Sequence, residues 1–397
     1  MKFAKRVETL PPYLFAEIDK KRQAAIARGV DIINMGIGDP DQPTFKHIVD
    51  AMHTAIDDPT THNYPPYHGL KEFREAVTKW FDERFSQKFD ADKECVSLIG
   101  SKEAIHNCIF ATIDKGDVAL LPDPAYPVYK TSTLLSGGVP YVTPLLEKNN
   151  WIPDLTKIPN DIAQKANIIM VGYPNNPTGS VAPLAFYDEV IAFAKKYDII
   201  VLSDNAYSEI TFDGYVAPSI FQAKGARDVA LEFHSLSKTY NMTGWRVGFA
   251  VGNEKVVKAL STVKTNIDSG VFKAIQRAAL AAFNTPKEVI KKNNSIYCER
   301  RDVAVKGLIE LGWEIKEPIK GTFYLWLPIP PSFKTSTDFA SGMLDKCGIV
   351  VPPGVGYGEY GEGYFRIALT VDKKRIEEAF QRMKKEGFVF KQHCSVK

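Results

Sequence analysis

Cysteine is scarce in this chain: five residues in 397 (Cys95, Cys108, Cys298, Cys347 and Cys394), with no pair at CxxC spacing. An odd, scattered set argues against a disulfide framework, and no His/Cys cluster has zinc spacing. A reduced, metal-free cytoplasmic protein is therefore expected. Charge of one sign is missing as well. Fifty basic side chains against 47 acidic ones leave +3, which offers no surface for nucleic acid or membrane. No apolar run approaches the ~18 residues of a membrane helix. Glu8, Glu17 and Asp19 interrupt the apolar core that a signal peptide would need. Cys394-Ser395-Val396-Lys397 has only the outline of a prenylation box, since lysine stands last. Sequons at Asn241 and Asn293 read as chance without a secretory signal. Repeats, low-complexity tracts and long linkers are absent too.

What remains is an ordinary globular composition, 45% hydrophobic and 24% charged, in a length suited to two domains or one with a satellite. From about residue 70 to 290, helical patterns alternate with short apolar runs. Glu94–Ile99, Val118–Leu121, Ile168–Val171, Ile199–Leu202 and Val247–Ala250 read as buried parallel strands, and Ser101–Ile113 and Leu184–Lys196 as helices between them. That alternation predicts an α/β fold with a mostly parallel sheet between helices. After residue 290 a long helix near Lys291–Leu311, strand-like Gly321–Trp326 and Tyr364–Leu369, and a charged helix Lys373–Lys385 suggest a smaller α+β domain. The expected division is 1–44 as an arm and part of the small domain, 45–290 as the large domain, and 291–397 as the small one. The proline-punctuated arm reads as irregular, packing on the small domain or on another subunit.

Open α/β sheets bind ligands beyond the carboxyl ends of their strands. Several chemically loaded residues fall just after such runs. Lys238 sits in Ser235-Leu236-Ser237-Lys238, with Arg246 eight residues on, so one segment offers an amine for an aldehyde and a cation for a phosphate. Pyridoxal phosphate (PLP) needs both at once. A lone lysine would read as a solvated loop residue; this setting points to a covalent anchor. Asp204, at the end of Ile199–Ser203, is costly to bury without a cation, and a protonated pyridine nitrogen is one. The plainer alternative is a helix N-cap. Tyr207, and Asn176 in Pro174-Asn175-Asn176-Pro177-Thr178-Gly179, suit a phenolic oxygen. Gly100-Ser101-Lys102-Glu103 opens a helix whose free amides favour phosphate, with Ser235, Ser237 and Arg246 completing the cup. Gly36–Gly38 and Gly354–Gly358 lack the residues of nucleotide-binding loops and read as flexible loops. Arg366, in an apolar strand-like run, suits a substrate carboxylate, or an edge facing water.

Taken together these segments resemble the fold-type I, class I/II aminotransferases over nearly the whole chain. The resemblance implies that Lys238 is the Schiff-base lysine, Asp204 the pyridinium partner, Tyr207 and Asn176 the O3′ ligands, Arg246 the phosphate arginine and Arg366 the carboxylate arginine. It further implies that Tyr126, in Asp123-Pro124-Ala125-Tyr126-Pro127, stacks on the cofactor ring, that Gly38 lies beside the substrate carboxylate, and that Tyr64 reaches a neighbouring subunit's phosphate in a homodimer. Within that superfamily the chain is most similar to LL-diaminopimelate aminotransferases. The closer match is carried by Leu10–Phe15, Gly36–Asp41, Leu98–Glu103, Tyr240–Arg246 and Tyr360–Leu369. In that subfamily Tyr13 and Lys102 would hold the distal carboxylate, with Ser269 of the other subunit near the distal end. Where some members carry a glutamate shortly after the Tyr64 equivalent, Tyr67 and His68 stand here. Ping-pong transfer with 2-oxoglutarate is the implied reaction. Aspartate, alanine, glutamate or aromatic donors, a PLP-dependent carbon–sulfur lyase, a PLP-binding regulator and a purely binding α/β protein remain as alternatives.

Overall fold

The computed structural model describes residues 2–8, 10 and 14–390. Tyr13 and the Cys394–Lys397 tail lie outside them. A short strand, β1 (Ile33–Asn34), precedes seven that build the central sheet. These are β2 (Cys95–Leu98), β3 (Val118–Asp123), β4 (Val139–Pro144), β5 (Ala166–Val171), β6 (Ile200–Asp204), β7 (Ala230–Ser235) and β8 (Gly248–Gly252). Three more follow: β9 (Tyr324–Pro328), β10 (Ile349–Val350) and β11 (Tyr364–Ala368).

Successive side chains of a strand point to opposite faces, so a sheet buried on both sides needs apolar residues at every position. In β3, Val118 and Leu120 join one core while Ala119 and Leu121 join another; β5 splits Ile169 and Val171 from Ile168 and Met170 in the same way. Helices Lys71–Phe85, Leu184–Tyr197 and Lys273–Phe283 cover the first face, and Ser101–Thr112 and Glu254–Ile267 the second. The result is a helix–sheet–helix sandwich with strand order β2-β8-β7-β6-β5-β3-β4. The α/β class and the mostly parallel sheet expected from the alternation are present.

The expectation of parallel pairing fails at one side of the sheet: the run at Val247–Ala250 is β8, which pairs antiparallel with both β2 and β7, so β2, within Glu94–Ile99, has no parallel neighbour either. A buried apolar run reads the same in either direction. Besides the two-residue strands β1 and β10, two strands of the central sheet are not legible in the sequence, for separable reasons. β4 is an edge strand with prolines at 140 and 144, tolerated there because an edge has a free side. β7 carries Glu232 and His234, both buried, where an apolar run was sought.

That buried charge is fully partnered. The Glu232 carboxylate accepts from Ser203 Oγ (3.1 Å), Ser219 Oγ (2.9 Å) and the Ile220 amide (2.9 Å), and lies 2.8 Å from His234 Nε2. Burial alone would raise its pKa; His234 and the other donors outweigh it and hold the carboxyl below its ordinary value. The network fixes β6 against β7 one residue short of Asp204.

A second core gathers β1, β9, β11 and helices Lys287–Glu310, Ser336–Cys347 and Lys373–Lys385. The N-terminal segment is not irregular throughout, since Leu14–Ala27 is a helix. Beyond it β1 pairs in parallel with β10 and brings the segment onto this second core. Gly354–Tyr357, expected as a flexible loop, is a 3-10 turn with Tyr357 buried.

Removing one member of a buried, hydrogen-bonded pair typically costs about 3–5 kcal/mol, whereas an exposed i,i+4 pair contributes about 0.3–0.5 kcal/mol. Glu232→Ala is therefore expected to lower the thermal unfolding midpoint by several degrees, and Lys46→Ala, which breaks the exposed pair with Asp50, to leave it nearly unchanged. Equal midpoints for the two variants would refute the role given to the network.

Candidate active site

Because β3, β5, β6 and β7 run in parallel, their carboxyl ends open on one edge of the sheet. β8 runs the other way, so the residues that precede it reach the same edge. This reversal brings Arg246 to Lys238. A cavity of about 370 Å³ occupies that edge. Its lining includes Gly38, Ser101, Lys102, Tyr126, Asn176, Asp204, Tyr207, Ser235, Ser237, Lys238, Arg246 and Arg366. Tyr64 and Ser269 are not in it; both are exposed on the surface. These are the two positions that the resemblance assigns to a neighbouring subunit.

Ser235 ends β7 and caps the short helix Leu236–Thr239, accepting from the Ser237 amide at 3.2 Å. That turn presents Lys238 to the cavity, where its amine donates to the Gly38 carbonyl at 2.7 Å. Burial, helped by the positive charges of Arg366 and Arg246 and opposed by Asp39, pushes its pKa down to about 8. A lysine near that value has a substantial neutral fraction, which a nucleophile or base requires.

Asp204, at the end of β6, has one oxygen occupied: Oδ2 accepts from the Tyr129 hydroxyl at 2.8 Å. Its Oδ1 is buried and has no hydrogen-bond partner among the described residues. Burial raises this carboxyl's pKa, against the opposing hydrogen bond from Tyr129. A bare, buried carboxylate oxygen costs free energy until a donor meets it. An N–H of a protonated pyridine ring is such a donor, so the site fits the expected cofactor on this point.

The phosphate corner is fitted in another way. Gly100 has φ +89°, caps helix Ser101–Thr112, and leaves no room for a side chain: a Cβ there would collide with the Arg246 guanidinium. Arg246 is held by donating to the carbonyls of Thr243 (2.6 Å) and Ile99 (3.3 Å). A cation and a helix N-terminus thus face one corner, an arrangement suited to a dianion.

At the opposite end Arg366 is 1% exposed on β11. Its guanidinium donates to Asn176 Oδ1 and to the Gly36 carbonyl, each at 2.7 Å, and stacks 4.0 Å above the Tyr324 ring and 5.0 Å from Tyr357. The Gly36–Gly38 segment, expected as a flexible loop, is pinned three times, by Arg366, by Lys238 and by the Thr370 hydroxyl on the Ile37 carbonyl. Asp123 ties the two cores together beside Tyr126, accepting from the amides of Glu359 (3.1 Å) and Tyr360 (3.0 Å).

The sequence reading missed Tyr129, Tyr324 and Thr243, all in the lining. Tyr129 lies three residues after Tyr126, the spacing of one helical turn, and that was the available signal. Tyr324 had a weaker one: it shares a face of the β9–β11 pair with Arg366, but only once the register of Arg366 opposite Trp326 is known.

The family model for "Aminotransferase class I and II" matches residues 30–383. The chain is 58% identical over 388 residues to LL-diaminopimelate aminotransferase 2 of Trichormus variabilis, covering 98% of this chain and 99% of that protein. It is 51% identical to LL-diaminopimelate aminotransferase of Aquifex aeolicus, covering 96% and 98%. Among solved structures, substrate-bound BacF from Bacillus subtilis superposes with a TM-score of 0.94 at 34% identity, covering 99% of this chain and all of that one.

The folded Lys238 pKa lies below the unfolded value of ~10.4. Between about pH 8 and that value the unfolded chain binds more protons, so this group makes stability rise with pH across the window and opposes folding below it. Competitive amine acetylation of cofactor-free protein, mapped by mass, is expected to give Lys238 a half-point near pH 8 and exposed lysines one near ~10.4. A Lys238 half-point matching the exposed lysines would show that burial does not depress it.

Proposed function

Because the chain belongs to the class I and II aminotransferases, which are PLP-dependent, we propose that it transfers the amino group of LL-diaminopimelate to 2-oxoglutarate in lysine biosynthesis. The donor rests on curated relatives 50–58% identical over nearly the full length. The single structural observation that carries the chemistry is the meeting, in one cavity, of a depressed lysine, a half-bare buried carboxylate and a buried arginine.

Bound PLP supplies an aldehyde that condenses with amines and a ring that takes up electrons from the adjacent carbon. The chain's own residues do the rest. Lys238 would anchor the cofactor through its amine, and the same amine, when free, would take the substrate's Cα proton. Low solvent access and two nearby arginines keep that amine neutral enough to act. Asp204 Oδ1 would accept from the ring nitrogen and keep it protonated, while Tyr129 holds the carboxylate in place. Tyr207 and Asn176 donate to the ring oxygen; Asn176 has its own Oδ1 engaged by Arg366, which leaves its amide N–H groups for this contact. Tyr126 would hold the ring by its face, and Ser101, Lys102, Ser235, Ser237 and Arg246 would hold the phosphate. Arg366 takes the substrate α-carboxylate through its fork, beside Gly38. Lys102 and Tyr13, with Ser269 of the partner subunit, would serve the distal end. The large segment, 45–290, thus contributes the cofactor site and 291–397 the carboxylate site.

A second copy of the chain completes the site in this reading. Tyr64 is 83% exposed, Tyr67 is exposed on the same segment, and Ile267 and Phe272 are exposed on a second segment, which Lys273 joins to the first by donating to the Thr60 carbonyl at 2.6 Å. Exposed aromatic and apolar side chains of that kind suit a homodimer in which Tyr64 reaches the other copy's phosphate. Cytoplasmic residence is part of the same proposal and rests on the scattered, unbridged cysteines; among the described residues no helix is long and apolar enough to cross a membrane.

A panel of amino donors with 2-oxoglutarate should give the fastest glutamate formation with LL-diaminopimelate. Preference for aspartate, alanine or an aromatic donor would move the chain elsewhere in the family, and release of pyruvate with ammonia would make it a lyase. Lys238→Ala is expected to keep the fold and lose at least the ~10²–10⁴-fold of a positioned base. Near-wild-type turnover would reject the assignment.

A further inference from the structure

Tyr324 has no part in the chemistry described so far, yet it touches three working parts of the cavity. Its hydroxyl lies 3.0 Å from the Tyr207 hydroxyl, with the rings 5.6 Å apart at 73°. Its ring lies 4.0 Å below the Arg366 guanidinium. It also fills the space where any side chain at position 38 would stand: a Cβ on Gly38 would fall inside the Tyr324 phenol. Gly38 does not have a positive φ, so its glycine is demanded by this approach and not by backbone conformation. The carbonyl of the same glycine holds the Lys238 amine. Tyr324 is 2% exposed, so water does not compete for its hydroxyl.

We propose that Tyr324 is a positioning residue that orients and strengthens Tyr207 as a hydrogen-bond donor to the cofactor's ring oxygen, while its ring supports Arg366. The inference rests on the reading of Tyr207 given above. A phenol has one proton. If Tyr207 donates to the ring oxygen, the bond between the two tyrosines must run from Tyr324 to Tyr207. Accepting that bond polarises Tyr207 and makes it a better donor, because chained hydrogen bonds reinforce one another. A better donor stabilises the anionic ring oxygen. The nitrogen joining cofactor to Lys238 then holds its proton less tightly. The two functions of Tyr324 also separate by atom. The hydroxyl acts on Tyr207, and the ring acts on Arg366.

The test uses the holoenzyme and the pH titration of its bound cofactor's visible absorption. Tyr324→Phe keeps the ring and is expected to raise the titration midpoint by about half a pH unit, the size of one modest hydrogen bond. Its KM for the amino donor should stay within about twofold while kcat falls by roughly threefold to tenfold. Tyr324→Leu, which removes the ring as well, should add a rise in KM of about tenfold. In a Tyr207→Phe background, Tyr324→Phe should shift the midpoint no further. An unchanged midpoint in Tyr324→Phe, or the same shift with Tyr207 already removed, would overturn the proposal. Failure of the underlying reading has a different signature: Tyr207→Phe alone would leave the titration unmoved. Should Tyr324→Phe unfold, Gly38→Ala provides a second route, since it displaces the phenol and must raise the midpoint in the same direction; no change there would also count against the proposal.

Discussion

Asp204 sets the terms for everything around it. A carboxylate at the end of a buried strand, with one oxygen satisfied and the other bare, is an unfavourable object until a cation arrives. The surrounding charge obeys this. Arginines stand at the two ends of the cavity, and the amine between them is depressed, so that positive charge is distributed about an anionic ligand instead of neutralising Asp204 directly. Charge placed in this way ahead of a ligand is the preorganisation by which a site discriminates by charge as well as by shape.

Rigidity behind the site matters as much as charge within it. The Glu232 network fixes β6 to β7, one residue from Asp204 and three from Ser235. On the other side, Arg366 belongs to the second core but is bonded to Asn176 of the first and to the Gly36 carbonyl of the N-terminal segment. Three stretches remote in sequence therefore meet at one guanidinium. Each would shift its alignment if it moved alone.

Much of this was legible in the residues. Asp204, Asn176 and the Gly100-Ser101 turn each follow an apolar run, so chain order predicts that they gather at one sheet edge; Lys238 and Arg246 were legible from their spacing in one segment, while the reversal of β8 that brings Arg246 to that edge was not. The α/β layering was equally plain, because strands buried on both faces leave unbroken apolar runs. Strand direction was not legible, since Val247–Ala250 would look identical parallel or antiparallel. Nor were β4 and β7: prolines obscured one and a buried acid with its histidine obscured the other. Tyr324 and Tyr129 were hidden for a deeper reason. Their roles depend on pairing register and on which side chain a given hydroxyl meets, and neither property is local in sequence.

The antiparallel run of β8 has a bearing on how this protein can vary. Because β8 returns antiparallel beside β7, the connection between them, residues 236–247, stays at the carboxyl-end edge of the sheet, where a parallel strand would have needed a crossover back to the other end. Lys238 and Arg246 both lie within that connection. Insertions or deletions there would change the span between the covalent anchor and the phosphate cation, so length in this connection is constrained in a way that length at the open turn of Gly214 is not. Divergence among related chains should accordingly alter residues inside the 239–245 stretch while preserving their number.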